Sequence, residues 1–195
     1  MPAKQWLQKS TIEMSDTDAW RKEITHFKGK LIAIAPGSVW GTKRWTREGY
    51  LEVAKSLTQL AGVGLILLGG KGETVDTAAI AAGLSNNKDV WDLAGKTTLD
   101  DLRGIYPNLS LLVANDSSAV HYASSFNVPT VAIFGATIPE MGFGPKAEKS
   151  ETLELDLECR PCSDHGPKVC PLKHFKCMRG LKAADIVDAC ARILS

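Results

Sequence analysis

The stretch at 111–135, LLVANDSSAVHYASSFNVPTVAIFG, constrains the fold more than any other part of the sequence. It opens and closes with apolar runs, at 111–114 and 130–134, and such runs are typical of strands buried on both faces of a sheet. Between them, four small polar residues at 115–118 precede a helical segment. This order predicts a strand, a polar turn, a helix and a second parallel strand, joined by a right-handed crossover.

The same alternation of apolar runs and helical segments extends over most of the chain. Thr46 and Thr98 are predicted to cap two of the helices, and an amphipathic helix is expected at 183–194. The other predicted strands are at 31–35, 63–68 and 90–93, with an edge strand at 153–157. Strands that alternate with helices in this way predict an α/β fold with a doubly wound, Rossmann-like parallel sheet.

We expect this sheet to form one domain at 30–195, preceded by an arm at 1–29. Ser15 or Asp16 could cap a short helix within the arm. A length of 195 residues, 44% of them hydrophobic and 23% charged, suits one domain with a sizeable core.

The charge and hydropathy of the chain exclude several functional classes. Its net charge of +1 lacks the strong basic bias of a nucleic-acid binder. No stretch approaches the roughly 18 apolar residues of a membrane span, and residues 1–20 lack the apolar core of a signal peptide. We therefore expect a cytoplasmic protein with no nucleic-acid partner and no transmembrane segment.

The loop at 36–45, after the first predicted strand, is the first candidate binding site. Open α/β sheets bind ligands beyond the carboxyl ends of their strands. Glycine amides, hydroxyl groups and the ammonium group of Lys43 can all bind phosphate oxygens. A solvated surface loop is the alternative, but the combination of Gly37, Ser38 and Lys43 at this position favours a phosphate site.

The polar turn of the central unit is the second candidate. Helix N-terminal amides attract pyrophosphate, Asp116 could accept sugar hydroxyls, and a protonated His121 could neutralise phosphate. The alternative is a capping cluster, with Ser117 and Ser118, beside one structural histidine. The position of all four residues at the mouth of a central strand favours a binding site.

The segments NDSSAVH at 115–121 and VPTVAIFG at 128–135 resemble the signature of the glycosyltransferase family 9 heptosyltransferases. Three further loops match that family in order: APGSVWGTKRW at 35–45, GGKGE at 69–73 and AGKTTLD at 94–100. The resemblance implies the C-terminal, donor-binding half of a GT-B fold, in which two similar α/β domains are joined by a linker. The arm at 1–29 resembles that linker.

The resemblance also implies roles for residues in the first three loops. Ser38 and Lys43 would contact the donor's phosphates, with Lys43 also stabilising the leaving group. Glu73 would hold the ribose, although its sequence position also suits a charge that complements a helix dipole. Backbone groups around Thr97 and Thr98 would meet the base, whereas the residues by themselves indicate only a helix cap at Thr98.

In the central unit, the resemblance assigns Asp116, Ser117, Ser118 and His121 to the donor sugar and diphosphate. The chain departs from the family here, because Ser118 replaces the commoner glycine. This departure raises the question of whether the ligand can approach the backbone as closely.

The implied reaction is transfer of heptose from ADP-heptose to the lipopolysaccharide core, with inversion and no cofactor required for catalysis. The acceptor-binding domain and the general base belong to an N-terminal half of the family that this chain lacks. We therefore expect the chain to bind an ADP-sugar and to transfer poorly or not at all by itself, in the cytoplasm or at the periphery of the inner membrane.

Three other functions stay open. One is another nucleotide-sugar enzyme of the GT-B type, such as an epimerase or a transferase with a different donor. A Rossmann oxidoreductase is disfavoured, because the first strand is not followed by a G-x-G-x-x-G turn. The third is a metal-stabilised, non-enzymatic interaction module.

A third candidate site, for a metal, is the segment at 159–177, called here the Cys-rich segment, which contains Cys159, Cys162, Cys170 and Cys177. A C-x-x-C pair followed by two more cysteines indicates a structural metal site, and four thiolates can hold zinc or iron. Disulfides and free thiols are the alternatives. Some members of the family carry a similar segment, so it adds to the resemblance. Cys190 is expected to be a buried apolar side chain.

Overall fold

The computed structural model describes residues 19–195, and these residues form one six-stranded sheet. The strands are β1 (Lys30–Ala35), β2 (Val63–Leu67), β3 (Val90–Asp92), β4 (Leu109–Asn115), β5 (Thr130–Ile133) and β6 (Ser150–Leu153). Their order across the sheet is β3-β2-β1-β4-β5-β6, and every neighbouring pair is parallel. This order is that of a doubly wound fold, so the predicted fold class is confirmed.

Helices cover both faces of the sheet. They are α1 (Ala19–His26), α2 (Arg47–Thr58), α3 (Thr74–Ala82), α4 (Leu99–Ile105), α5 (Ser118–Ser125), α6 (Lys176–Arg179) and α7 (Ala183–Leu194). Apolar residues of α2, α3 and α7 pack on one face, and those of α1, α4 and α5 pack on the other. The central strands β1 and β4 are therefore buried on both sides, which explains their nearly uninterrupted apolar sequences.

Two predicted helix caps are present. The hydroxyl oxygen of Thr46 accepts a hydrogen bond of 3.1 Å from the amide of Gly49, which is in the first turn of α2. Thr98 caps α4 in a reciprocal arrangement with Asp101, in which each side chain bonds the other residue's amide. Both caps satisfy amides that have no partner within the helix, and they fix where the preceding loops end.

The N-terminal helix is present, and the edge strand begins earlier than predicted. The predicted cap at Ser15 or Asp16 lies outside the described residues, but α1 is present and packs Ile24 into the core. The edge strand is β6, which begins before the predicted range at 153–157. Leu155 and Leu157 still pack against the core, although backbone pairing with β5 ends at Leu153. The alternating leucines therefore predicted which side chains are buried, but not where the strand lies.

The strand order reverses between β1 and β4, which lie side by side although two other strands separate them in sequence. Crossovers that leave in opposite directions open a crevice at the carboxyl ends of such strands. The polar loops that follow β1 and β4 border this crevice, and together with the first turn of α5 they contain six of the nine predicted binding residues.

Candidate functional site

A cavity of about 760 Å³ lies at the carboxyl ends of the strands, between the loops that follow β1, β2, β3 and β4. Its volume is in the range of roughly 300–1,000 Å³ that is usual for small-molecule sites. The cavity is lined by all nine residues predicted to bind the donor: Ser38, Lys43, Glu73, Thr97, Thr98, Asp116, Ser117, Ser118 and His121. The fold thus gathers residues from four separate segments into one place, while their binding roles stay predictions.

A buried ion pair forms part of the wall of this cavity. The Lys43 Nζ atom is 2.6 Å from Oδ2 of Asp116, and both side chains are at least nine-tenths buried. The hydroxyl of Thr137 donates a 2.5 Å hydrogen bond to the same carboxylate oxygen. Lys43 Nζ also lies 4.8 Å from the ring centroid of Phe143, a favourable cation–π distance. The ammonium group is therefore fixed at the cavity wall before any ligand is present.

The side chain of Asn115 connects the end of β4 to the loop after β1. Its Oδ1 atom accepts hydrogen bonds from the Trp45 amide at 3.0 Å and the Tyr50 hydroxyl at 2.8 Å. Its Nδ2 atom donates to the Pro36 carbonyl at 2.6 Å and, more weakly, to the Gly37 carbonyl at 3.4 Å. Asn115 is fully buried, so these bonds replace water and hold the loop that bears Lys43 in place.

Glu73 and Gly37 bring the loops after β1 and β2 into close contact. The Glu73 carboxylate accepts a 2.6 Å hydrogen bond from the amide of Gly70. A Cβ atom added at Gly37 would lie 1.9 Å from the other carboxylate oxygen of Glu73. A side chain at position 37 would therefore require this carboxylate to move, and the carboxylate lines the cavity where the resemblance expects a ribose.

The residues after β3 form the opposite rim. Both the amide and the hydroxyl of Thr98 donate 2.8 Å hydrogen bonds to Asp101, whose carboxylate also pairs with Arg21 at 2.7 Å. Burial opposes ionisation of Asp101, but the hydrogen bonds from Thr98 and the charge of Arg21 outweigh it and lower the pKa of this carboxyl. The hydroxyl and the amide of Thr98 thus bond Asp101, and its carbonyl accepts a 3.2 Å hydrogen bond from the Leu102 amide. Its role in binding the base stays a prediction.

The first turn of α5 supplies the remaining predicted residues. The helix begins at Ser118, and the Ser117 side chain makes no capping hydrogen bond within it. His121 lies one turn along the helix, exposed and facing the cavity. This arrangement presents a helix N-terminus, which attracts anions, beside the buried ammonium group of Lys43.

The Cys-rich segment contains four free thiols, and the thiol of Cys190 is free as well. Within the described part of the chain, no group of three or more His, Cys, Asp or Glu side chains is arranged so that it could hold a metal ion. Burial and the nearby thiols of Cys159 and Cys170 raise the pKa of Cys162. The thiols are therefore near enough to influence one another, without the arrangement of a metal site.

Cys170 differs from the other cysteines of this segment. Burial raises the pKa of its thiol, but backbone amides of residues 172–175 donate hydrogen bonds to the sulfur and lower the pKa overall. Burial raises the pKa of Cys190 to about 12, as expected for an apolar, unreactive position.

Four residues that sequence reasoning did not assign complete the site: Asn115, Thr137, Phe143 and His165. A signal existed for Asn115, since it is a polar residue at the end of an apolar strand. Thr137 follows β5, the neighbour of β4, and strand order would have been needed to place it. Phe143 and His165 lie in irregular segments, where sequence patterns give no indication of direction.

Comparison with known proteins adds independent information. The model of glycosyltransferase family 9 (heptosyltransferase) matches residues 2–174. The chain belongs to glycosyltransferase family 9. Among curated members, lipooligosaccharide heptosyltransferase 2 of Campylobacter jejuni is 34% identical over 167 residues, which is 85% of this chain and 51% of that protein. The chain thus spans about half the length of this family 9 relative.

Solved structures of heptosyltransferases share the fold. ADP-heptose lipopolysaccharide heptosyltransferase II of Escherichia coli superposes with a TM-score of 0.70 at 23% identity, covering 85% of this chain and 46% of that one. The dodecameric, iron-containing heptosyltransferase TibC, solved with ADP-D-beta-D-heptose, gives 0.64 at 17% identity, with 84% and 45% covered. At such identities the likeness establishes the fold, which is that of about half of each GT-B heptosyltransferase. None of the helices at 19–195 has the length and apolar character needed to cross a membrane.

Proposed function

We propose that this chain is the donor-binding domain of an inverting heptosyltransferase, and that the cavity binds ADP-heptose. The observation that carries the proposal is the buried Lys43–Asp116 pair at the strand-order reversal, in a cavity lined by all nine predicted donor-binding residues. Membership of a family described as heptosyltransferases supports the sugar, and the Campylobacter jejuni relative supports a lipooligosaccharide or lipopolysaccharide acceptor.

In this proposal the residues of the cavity act on the donor's diphosphate. The ammonium group of Lys43 neutralises the charge that develops on the departing ADP, and the amides at the start of α5 bind phosphate oxygens. Asp116 keeps Lys43 in position and accepts hydrogen bonds from sugar hydroxyls. Glu73 binds the ribose hydroxyls, since a carboxylate can accept two of them.

The acceptor and the general base would be supplied by residues beyond this chain. Inverting transfer needs a base that deprotonates the acceptor hydroxyl, on the face of the sugar opposite the leaving group. The whole enzyme would act on the lipopolysaccharide core in the cytoplasm, at the periphery of the inner membrane. This chain alone would bind the donor and transfer poorly, with 30–195 as the binding domain and 1–29 as a linker.

Calorimetric titration of the chain with ADP, UDP and NAD tests the proposal. ADP binding that is tighter than the other two is the expected result, with a loss of about tenfold or more in Lys43→Ala. Lys55→Ala, an exposed lysine on α2, is the matched control. A preference for UDP would favour another nucleotide-sugar enzyme such as an epimerase, and a preference for NAD an oxidoreductase. Absence of binding to all three would overturn the proposal.

For the Cys-rich segment, we propose a structural zinc or iron ion held by Cys159, Cys162, Cys170 and Cys177. The donor set fits soft metals, and the amides around Cys170 stabilise a thiolate there. The thiols would have to draw closer than they lie in this structure. TibC, which shares the fold, is described as iron-containing. Such an ion would stabilise the segment, with no role in the transfer step.

Elemental analysis of the purified chain tests this second proposal. About one zinc or iron per chain is expected, with Cys162→Ser losing the metal and Cys190→Ser retaining it. Four freely reacting thiols in the native protein, with no bound metal, would show that the segment carries free cysteines only.

A further inference from the structure

The Cys-rich segment is attached to the donor cavity at two places. At its start, the amide of Cys162 donates a 2.7 Å hydrogen bond to the carbonyl of Ala136, in the loop after β5. In its middle, the carbonyl of Pro167 accepts a hydrogen bond from the hydroxyl of Thr42, the residue next to Lys43. The part of the segment between these attachments therefore lies over the loop that presents the ammonium group.

Close contacts show how tightly this part of the Cys-rich segment packs on the loop at 36–45. Gly166 has a φ of +77°, and a Cβ atom added there would lie 3.1 Å from Thr42 Oγ1 and 3.3 Å from Lys43 Cε. A Cβ atom added at Gly41 would lie 2.5 Å from the carbonyl oxygen of Lys168. Residues 166–168 thus pack directly on the loop at 36–45. The adjacent residue, His165, lies beside the cavity.

His165 is the one residue of the Cys-rich segment among the described residues that line the cavity. Its ring is exposed, and its centroid is 6.0 Å from that of Phe143. The other side of this arrangement is Lys43, whose Nζ atom lies 4.8 Å from the same Phe143 ring. His165 therefore belongs to the Lys43 end of the cavity, where the diphosphate is expected.

We propose that His165 is a donor-binding residue, whose imidazole donates a hydrogen bond to the β-phosphate of the nucleotide sugar. The inference rests on the proposed function, because it assumes that the ligand's diphosphate meets Lys43. An imidazole N–H is a suitable donor to a phosphate oxygen, and a hydrogen bond to a charged group is stronger than one between neutral groups. The Cys-rich segment then contributes to donor recognition as well as to structure.

The experiment compares ADP with AMP, which lacks the β-phosphate, by calorimetric titration of the full chain. In His165→Ala, we expect ADP binding to weaken about tenfold and AMP binding to change less than about twofold. His165→Gln, which can still donate a hydrogen bond, should recover part of the loss. His174→Ala is the matched control, since this second histidine of the segment accepts a 3.0 Å hydrogen bond from the Lys176 amide and does not line the cavity.

The possible results separate this inference from the function on which it rests. If the unaltered chain binds ADP and His165→Ala binds it equally well, the inference is overturned and the proposed function stands. Equal weakening of ADP and AMP in His165→Ala would also overturn it, because a distorted cavity wall affects both ligands. If the unaltered chain binds no nucleotide, both the function and the inference fail.

Discussion

The two sides of the cavity differ in how far the fold alone fixes their side chains. On the side formed by β1 and β4, Lys43 is paired with Asp116, and Asn115 makes its hydrogen bonds within the protein. On the other side, the Cys-rich segment borders the cavity through His165, and its four thiols lie near one another, although no group in the described part of the chain is arranged to hold a metal ion. The first side is preorganised by the fold, whereas the second has ligand chemistry that the fold alone does not assemble.

This difference suggests that the two sides contribute differently to catalysis and to stability. A preorganised cation stabilises charge in a transition state without having to be reoriented at the moment of reaction. The metal ion proposed for the Cys-rich segment would stabilise that segment separately from the sheet. Changes at the Lys43–Asp116 pair should therefore affect both folding and ligand binding, whereas changes in the Cys-rich segment should affect that segment and ligand binding more than the sheet.

The largest expected effect is that of Asp116→Ala. This change leaves the buried ammonium group of Lys43 without its carboxylate, which should cost about 3–5 kcal/mol in the free energy of unfolding. Denaturant unfolding measures the loss, and the double variant Lys43→Met with Asp116→Ala should recover part of it. A loss below about 1 kcal/mol would mean that water reaches the pair, contrary to a preorganised site.

Asn115→Ala should have the next largest effect. It removes the partner of the Tyr50 hydroxyl and the Trp45 amide, both of which are buried, at a cost of about 2–3 kcal/mol. Asn108→Ala, in which an exposed asparagine loses one hydrogen bond to Gly104, should cost less than about 1 kcal/mol. Equal unfolding free energies for the two variants would refute the connecting role of Asn115.

Loss of the Asp101–Arg21 ion pair should lower the free energy of unfolding by a smaller amount, which depends on pH. Asp101→Asn keeps a capping side chain but loses the charge, so at neutral pH it should cost about 1–2 kcal/mol. The folded-state pKa of Asp101 is lowered, so its contribution is complete above the unfolded pKa and is lost as pH falls through the folded pKa. The difference between the unfolding free energies of the two proteins should therefore begin to shrink near about pH 4 and should continue to shrink as the pH falls further. A difference that stays constant down to pH 2 would contradict the assignment.

The smallest effect on stability is expected for chemical modification of cysteine. Reactivity toward an alkylating reagent should distinguish Cys159, in the Cys-rich segment, from Cys190, in α7. In native, metal-free protein, a thiol-alkylating reagent should modify the part-exposed Cys159 and leave Cys190 unmodified, because burial raises the pKa of Cys190 to about 12. Peptide mass spectrometry identifies the labelled sites. Added zinc should protect Cys159 from the reagent without changing the labelling of Cys190. Equal labelling of both cysteines before unfolding would show that the core beside α7 opens.

Much of the fold could be predicted because the relevant information is local. Apolar runs marked the strands of the parallel sheet, and Thr46 and Thr98 marked two helix starts that the structure confirms. The edge strand β6 was misplaced because Leu153, Leu155 and Leu157 alternate for packing, while backbone pairing ends at Leu153. Pairing depends on the register against β5, which the local sequence of an edge strand does not contain.

The doubly wound sheet and the polar loops at its edge could be predicted from local patterns, because strand burial and helix capping act over a few neighbouring positions. The partners of the residues in those loops follow from the tertiary structure. The pairing of Lys43 with Asp116 joins two loops whose strands become neighbours through the order of the sheet. The placement of His165 beside Phe143 likewise depends on the irregular path of the Cys-rich segment. Such contacts arise from the packing of distant segments, for which periodicity along the chain carries no signal.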